Sequence, residues 1–175
     1  AAAERARCAQ PGWAAAAPAV RAAALDAAAD ALAGAAGELT DLVVREVGKP
    51  RTEAAGEVGR AIAILRYYAQ QVYDPQGAVH VASAGGPGLS FTRRRARGVA
   101  GLITPWNFPL AIPLWKAAPA LAFGNAVLLK PAPQATACAL RLAELLAPHL
   151  PAGLLSVLPG DAEAGAAVID AADIV

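Results

Sequence analysis

The chain has 175 residues, of which 15 are Lys or Arg and 14 are Asp or Glu, giving a net charge of +1 at pH 7. This length predicts one domain, or one domain with an appendage. The balanced charge argues against a dedicated nucleic-acid-binding protein. The two cysteines are too few for a disulfide scaffold and match no metal-ligand spacing, so we expect a reducing compartment and no bound metal.

Both ends of the chain indicate a piece of a longer protein. It contains no Met, so we do not expect translation to start at Ala1, and its last residues read as the beginning of an apolar strand. Charged residues and a proline interrupt the Ala-rich N-terminus, unlike a signal peptide. Residues 98–115 carry no charge over 18 residues, but three prolines and an Asn argue against a membrane-spanning helix. We therefore expect a cytoplasmic fragment without a membrane span.

The first part of the chain, residues 1–75, has the pattern of helices. Apolar residues at helical spacing predict helices at residues 18–36 and 38–47, the second ended by Gly48 and Pro50. A third helix is predicted at residues 51–72, where the apolar residues step by four and three along one stripe.

The helical pattern stops after residue 75, and residues 76–97 have the sequence pattern of a β-hairpin. Short β-type runs at residues 79–81 and 90–92 flank a glycine-rich turn at 85–88. Four arginines follow within residues 93–97. A nucleic-acid-binding patch is the less favoured interpretation of these arginines. A solvated strand that protects a sheet edge, or pairs across an oligomer interface, is favoured.

Strands and helices alternate over residues 98–175. Strands are predicted at residues 99–103, 126–129, 154–158 and 174, and helices at 109–122, 136–147 and 161–171. This order predicts an α/β fold in which a helical N-terminal part and a hairpin lead into a partial doubly wound, Rossmann-like parallel sheet. Ligands of such sheets bind at the carboxyl ends of the strands.

The first strand is followed by Asn107, which lies between Trp106 and Phe108 and between Pro105 and Pro109. Two prolines fix the backbone, and we expect the two rings to anchor the turn by packing. A side-chain amide held in this way suits an oxyanion donor. An equally good interpretation makes Asn107 the N-cap of the next helix, with Pro109 in its first turn.

The helix after Asn107 carries Phe108, Ile112 and Trp115 on one face. These residues form either the apolar wall of a substrate channel or ordinary core, and spacing favours core. Lys116 is a candidate for proton relay, but a lysine whose ammonium reaches the surface is favoured. At the next strand ends, Lys130 and Gly160 could contact a cofactor, although the chain has neither a GxGxxG nor a P-loop motif.

Several segments together resemble the aldehyde dehydrogenase superfamily. The similar segments are residues 101–109 (GLITPWNFP), 114–125 (LWKAAPALAFGN), 127–131 (VLLKP) and 45–50 (REVGKP). The resemblance implies oxidation of an aldehyde, with a semialdehyde among the candidates, to the carboxylic acid. It further implies NAD or NADP as cofactor, a cysteine thiohemiacetal, and a homo-oligomer, a dimer or tetramer, tied together in part by residues 90–97.

The resemblance also implies roles for individual residues. Asn107 matches the oxyanion donor, Lys116 a proton-relay lysine and Lys130 a lysine that binds ribose. The aldehyde tunnel is matched by Phe108, Ile112 and Trp115. Residues implied along the cofactor are Ile103, Thr104, Pro105, Trp106, Lys130, Pro131, Ala132, Pro133, Gly160 and Gly165.

The chain also departs from the family pattern. Pro133 stands where many NAD-using members have a glutamate, and proline cannot bond a ribose hydroxyl, so the choice between NAD and NADP stays open. Neither Cys8 nor Cys138 matches the family's nucleophile, which is expected, like the general base, after residue 175. Two alternatives therefore remain: a non-catalytic truncated member acting as an assembly module, and a reductase of an acyl thioester or acyl phosphate.

Overall fold

The computed structural model describes residues 1–81, 85 and 88–175. Its helices are α1 (Ala2–Ala15), α2 (Pro18–Gly34), α3 (Ala36–Val47), α4 (Arg51–Gln71), α5 (Ala111–Ala122), α6 (Thr136–Leu146) and α7 (Ala162–Ala171). Its strands are β1 (Val79–His80), β2 (Ser90–Phe91), β3 (Val99–Thr104), β4 (Ala126–Pro131) and β5 (Leu155–Val157). The predicted α/β class and the alternation of strands and helices after residue 98 are confirmed.

A parallel sheet in the order β3-β4-β5 forms the centre of the C-terminal half. Strand β4 is buried at every position, because helices cover both of its faces. On the other edge of β3, Ile174 forms a parallel bridge with Ala100. The order of the strands therefore reverses at β3, with β4 on one side and Ile174 on the other. Doubly wound sheets bind ligands at such a reversal, at the carboxyl ends of the strands.

The three predicted N-terminal helices are confirmed as α2, α3 and α4, with ends within two residues of the predicted ones. Helix α1 was missed, because Pro11 and several charged residues lie inside it and only Ala6 and Trp13 are buried. A helix with so few buried positions leaves no apolar stripe in the sequence. Among residues 1–81, 85 and 88–175, no helix is both long enough and apolar enough to cross a bilayer.

The predicted hairpin is confirmed as an antiparallel pair, in which Val79 faces Phe91 and His80 faces Ser90. Strand β2 ends at Phe91, so the arginines at 93–95 and 97 follow the strand and do not extend it. Two residues of the predicted glycine-rich turn, Gly86 and Pro87, lie outside the described residues.

Helix α3 supplies the N-terminal cap of α6. Neither α6 nor the short turn before it has a side-chain cap of its own. The Glu46 carboxylate accepts hydrogen bonds from the backbone N–H groups of Ala137, at 2.6 Å, and Cys138, at 2.7 Å. A carboxylate at this end of a helix satisfies otherwise free N–H groups and is favoured by the helix dipole.

Replacing Glu46 tests this cap. Because two backbone donors lose their acceptor, we expect Glu46→Ala to lower the free energy of unfolding by about 1–2 kcal/mol. The matched control is Glu144→Ala, which removes an exposed carboxylate paired with Arg141 and should change stability by less than about 0.5 kcal/mol. Urea unfolding of the purified protein measures both. Equal losses in the two variants would contradict the capping role.

Candidate functional site

Three predicted cofactor residues converge on one face of the sheet at the carboxyl ends of β3 and β4. Ile103 and Lys130 are neighbours in the parallel register. A Cβ added to Gly165 would lie 3.6 Å from Lys130 Cδ and 3.8 Å from Ile103 Cδ1. Ile103 is the exposed position of β3, so solvent reaches the sheet at this residue.

Lys130 is held at this edge by two backbone carbonyls. Its side chain is buried, and Nζ donates hydrogen bonds to the carbonyl oxygens of Pro131 and Gly160, both at 2.9 Å. An ammonium group has three N–H donors, so one donor remains for a ligand hydroxyl. Position 160 requires a glycine for this arrangement, since a Cβ there would lie only 2.5 Å from Ala164 Cβ. The donor set at the strand ends thus fits a polyhydroxylated ligand such as a ribose.

The rest of the predicted cofactor segment surrounds this edge. Ala132 N–H donates to the carbonyl oxygen of Thr104 at 2.9 Å, which joins the chain leaving β4 to the end of β3. The Thr104 hydroxyl is buried and has no hydrogen-bond partner among the residues the structure describes. Pro133 begins a short 3-10 helix and is exposed. The structure therefore brings most of the predicted cofactor residues to one edge.

The elbow, residues 105–110, joins β3 to α5 and carries Asn107. Asn107 is exposed, and its side chain makes no hydrogen bond to any residue in the described parts of the chain. The prediction that Asn107 caps α5 is wrong, because the helix begins at Ala111 and its N-cap position is Leu110. The amide is therefore free to bind a ligand oxygen.

A buried carboxylate from α4 caps α5 instead. Glu57 Oε1 accepts hydrogen bonds from the backbone N–H groups of Leu110, at 2.9 Å, and Ala111, at 3.2 Å. Its Oε2 lies 2.5 Å from Lys49 Nζ, and the side chains of Lys49 and Glu57 are 10% and 0% exposed. The same Nζ lies 3.8 Å from the centroid of the Phe108 ring, a distance typical of a cation–π contact.

Sequence reasoning missed this pair. The available signal was a carboxylate on the buried face of α4, where Glu57 lies among Ala54, Val58 and Ala61. The predicted anchoring of the elbow by its aromatic rings is wrong for Trp106, which is 50% exposed. The elbow is held from α4 and from the α3–α4 junction, and burial of Trp106 does not contribute.

The predicted tunnel wall lies on the open side of α5. Phe108 and Trp115 are 38% and 47% exposed, and Ile112 is half-buried. The interpretation of these residues as ordinary core is therefore wrong; the core side of α5 carries Leu114 and Leu121. Arg60 of α4, which the sequence analysis did not single out, lies 5.9 Å from the centroid of the Trp115 ring.

Lys116 lies apart from the strand-end site. It is exposed and borders a cavity of about 330 Å³ along β3, together with Gly101, Asn125 and Ile174. Its position agrees with a side chain that reaches the surface, and a role in proton relay stays a prediction. A larger cavity of about 880 Å³, lined in part by Arg21 and Arg93, contains none of the predicted site residues.

Comparison with known proteins gives a consistent result. The model of the aldehyde dehydrogenase family matches residues 1–175. Two curated relatives are α-ketoglutarate semialdehyde dehydrogenases, from Haloferax volcanii (49% identity) and Bacillus subtilis (47%), each aligned over 70% of this chain. The chain spans about a quarter of the length of these relatives, 26% and 25%.

Solved structures of the same kind superpose on nearly all of the chain. A NAD-dependent benzaldehyde dehydrogenase from Corynebacterium glutamicum has 34% identity and a TM-score of 0.87, covering 93% of this chain and 35% of that protein. Glyceraldehyde-3-phosphate dehydrogenase GapN from Methanocaldococcus jannaschii, complexed with NADP, has 28% identity and a TM-score of 0.90, covering 96% and 37%.

Neither cysteine of the chain is at this site. Cys8 is exposed on α1, and Cys138 is buried in α6. Burial, followed by the hydrogen bond with Glu46, raises the pKa of the Cys138 thiol far above its ordinary value. A thiol that stays protonated is a poor nucleophile.

We therefore expect Cys138 to resist alkylation in the native protein at about pH 8.5, where an ordinary cysteine is half ionised. Iodoacetamide labelling followed by mass spectrometry of the α6 peptide measures this. The same peptide should label fully after unfolding in guanidinium, and exposed Cys8 is the native comparison. Labelling of native Cys138 at the rate of Cys8 would contradict the buried, protonated thiol.

Proposed function

Because the chain belongs to the aldehyde dehydrogenase family, we propose that the protein containing it oxidises an aldehyde to the carboxylic acid with NAD or NADP. The observation that carries this proposal is the free side-chain amide of Asn107 on an elbow beside the strand-end site. The names of the NAD-dependent and NADP-bound neighbours support the class of cofactor.

The cofactor, when bound, supplies an acceptor for the hydride that leaves the aldehyde carbon. The third N–H of Lys130 would donate to a ribose hydroxyl, because the other two are held by Pro131 and Gly160. The backbone from Ile103 to Trp106, and residues 131–133 with Gly165, would line the same ligand. Pro133 offers no hydrogen bond to ribose, so both NAD and NADP remain in the proposal.

Asn107 would act at the carbonyl oxygen. Attack of a cysteine thiolate on the aldehyde carbon moves the carbonyl electron pair onto oxygen, and an N–H of Asn107 would stabilise the resulting negative charge. With NAD or NADP bound to accept the hydride, the product on the cysteine would be a thioester, and water would hydrolyse it to the acid. Cys8 lies away from the site and Cys138 is a buried thiol with a raised pKa, which supports a nucleophile outside this chain. A role for Lys116 in proton relay remains part of the proposal.

For the substrate we propose an aldehyde that carries a carboxylate, that is, a semialdehyde. The open face formed by Phe108, Ile112 and Trp115 would line its path. Arg60 lies against Trp115 at this face, and among the described residues no carboxylate lies within salt-bridge distance of it. An arginine can bind a carboxylate through two parallel hydrogen bonds. The names of the two semialdehyde dehydrogenases support the same substrate class.

We further propose a cytoplasmic homo-oligomer, a dimer or tetramer, assembled through the hairpin. The exposed fractions of Val79, Val81, Leu89 and Phe91 are 76%, 97%, 75% and 60%. A cluster of exposed apolar side chains on a two-stranded hairpin supports burial against another surface. We propose that residues 1–75, 76–97 and 98–175 serve as a helical part, an assembly segment and a partial cofactor-binding unit.

Replacing Asn107 tests the catalytic proposal. We expect Asn107→Ala in the full-length enzyme to lower kcat by about 10²- to 10³-fold, the usual effect of losing one oxyanion donor. Because its amide makes no hydrogen bond to the residues that the structure describes, stability should change little. Gln70→Ala, which truncates an exposed amide on α4, is the control. Unchanged turnover in Asn107→Ala would refute the role.

Replacing Arg60 tests the substrate class. We expect Arg60→Gln to raise KM for a carboxylate-bearing aldehyde by about 10- to 100-fold, because a charge-assisted hydrogen bond contributes about 1.5–3 kcal/mol. KM for a neutral aldehyde of equal length should stay within about twofold. The control is Arg66→Gln, which removes another exposed arginine of α4 and breaks its ion pair with Asp30 of α2. An equal change for both aldehydes would exclude recognition of the carboxylate.

A further inference from the structure

The pair formed by Lys49 and Glu57 is the most completely buried ionic contact described at the site. The carboxylate of Glu57 is 0% exposed, and burying a charge is costly unless hydrogen bonds and a counter-charge compensate. Here three donors do so: Lys49 Nζ and the backbone N–H groups of Leu110 and Ala111. Both of its oxygens are therefore committed, one to the cation and one to the helix.

Lys49 is itself held in a fixed place. Gly48, with φ of +70°, ends α3, and Pro50 is the N-cap residue of α4. Positive φ favours glycine, and proline restricts its own φ and that of the residue before it. The lysine side chain is thus directed from a rigid junction between two helices, with its stem buried and its ammonium between Glu57 and Phe108.

The pair contacts the elbow on the carboxyl-terminal side of Asn107. Phe108, the next residue, lies under the Lys49 ammonium, and Leu110 and Ala111 donate to Glu57. Asn107 itself makes no hydrogen bond within the described parts of the chain. Its direction must therefore come from the backbone on either side, and on one side the Lys49–Glu57 pair fixes that backbone.

We propose that Lys49 and Glu57 are positioning residues that orient the Asn107 amide toward the carbonyl oxygen. The inference rests on the oxidation proposed above. A purely structural pair could be exchanged for well-packed apolar residues with little loss. A positioning pair could not be exchanged in this way, because a fixed acceptor at the first turn of α5 is needed to hold the elbow in the orientation that directs Asn107 to the substrate. A displacement of about 1 Å at such a group can cost about 10²-fold in rate.

The test is a double-mutant cycle in the full-length enzyme. Glu57→Gln keeps the shape and one acceptor but removes the charge, and Lys49→Met keeps the stem but removes the ammonium. We expect each to lower kcat by about 10- to 100-fold with KM for the cofactor unchanged. In an Asn107→Ala background the same substitutions should lower kcat by less than about twofold, because residues that act through one group are not additive.

The control is Glu38→Gln, which breaks an exposed carboxylate–arginine pair between α3 and α6 and should leave kcat unchanged. Thermal unfolding and cofactor-binding fluorescence establish that each variant is folded. Rate losses that multiply with that of Asn107→Ala, unchanged kcat in folded Glu57→Gln and Lys49→Met, or loss of the fold in both would overturn the positioning role. No effect of Asn107→Ala alone would instead refute the proposed oxidation, so the two failures are distinguishable.

Discussion

The geometry of the elbow depends on a carboxylate that the elbow does not contain. Helix α5 begins without a side-chain cap of its own, and Glu57 of α4 satisfies its first N–H groups. At the other end of α5, Trp13 Nε1 and Arg21 Nε donate to the carbonyl oxygens of Leu121 and Ala122, each at 2.8 Å. Helices α1, α2 and α4 therefore fix both ends of the helix that follows the first strand, because free backbone groups at buried helix ends need partners.

The same arrangement recurs at the second crossover. Glu46 of α3 caps α6, which follows β4, as Glu57 of α4 caps α5, which follows β3. Each carboxylate lies at the amino end of a helix, and thus beside the loop that leaves the carboxyl end of a strand. The N-terminal helices consequently shape both loops of the candidate site, in addition to covering the sheet. The packing of these helices and the shape of the loops at the strand ends therefore depend on the same two carboxylates.

Local patterns in the sequence were enough to predict most elements and the edge of the sheet at which the candidate cofactor residues come together. Periodicity gave α2, α3 and α4, apolar runs gave β3 and β4, and topology placed Lys130 and Gly160 at one edge. The caps could not be predicted, because Glu57 and Leu110 are 53 residues apart and Glu46 and Cys138 are 92 apart. For the same reason the local sequence favours Asn107 as an N-cap, whereas the N-cap position is Leu110, three residues later, and the capping carboxylate comes from a distant helix.

Lys130 has a consequence for the energetics of any ligand that reaches it. Its ammonium is already tethered to the carbonyls of Pro131 and Gly160 before a ligand arrives. A long side chain that is frozen on binding loses rotamer entropy equivalent to about 1.5–2 kcal/mol. The Lys130 side chain loses this entropy during folding. A ligand hydroxyl therefore binds a donor whose direction is already fixed. The rigidity of this donor therefore contributes to the affinity for a ligand that binds at this edge.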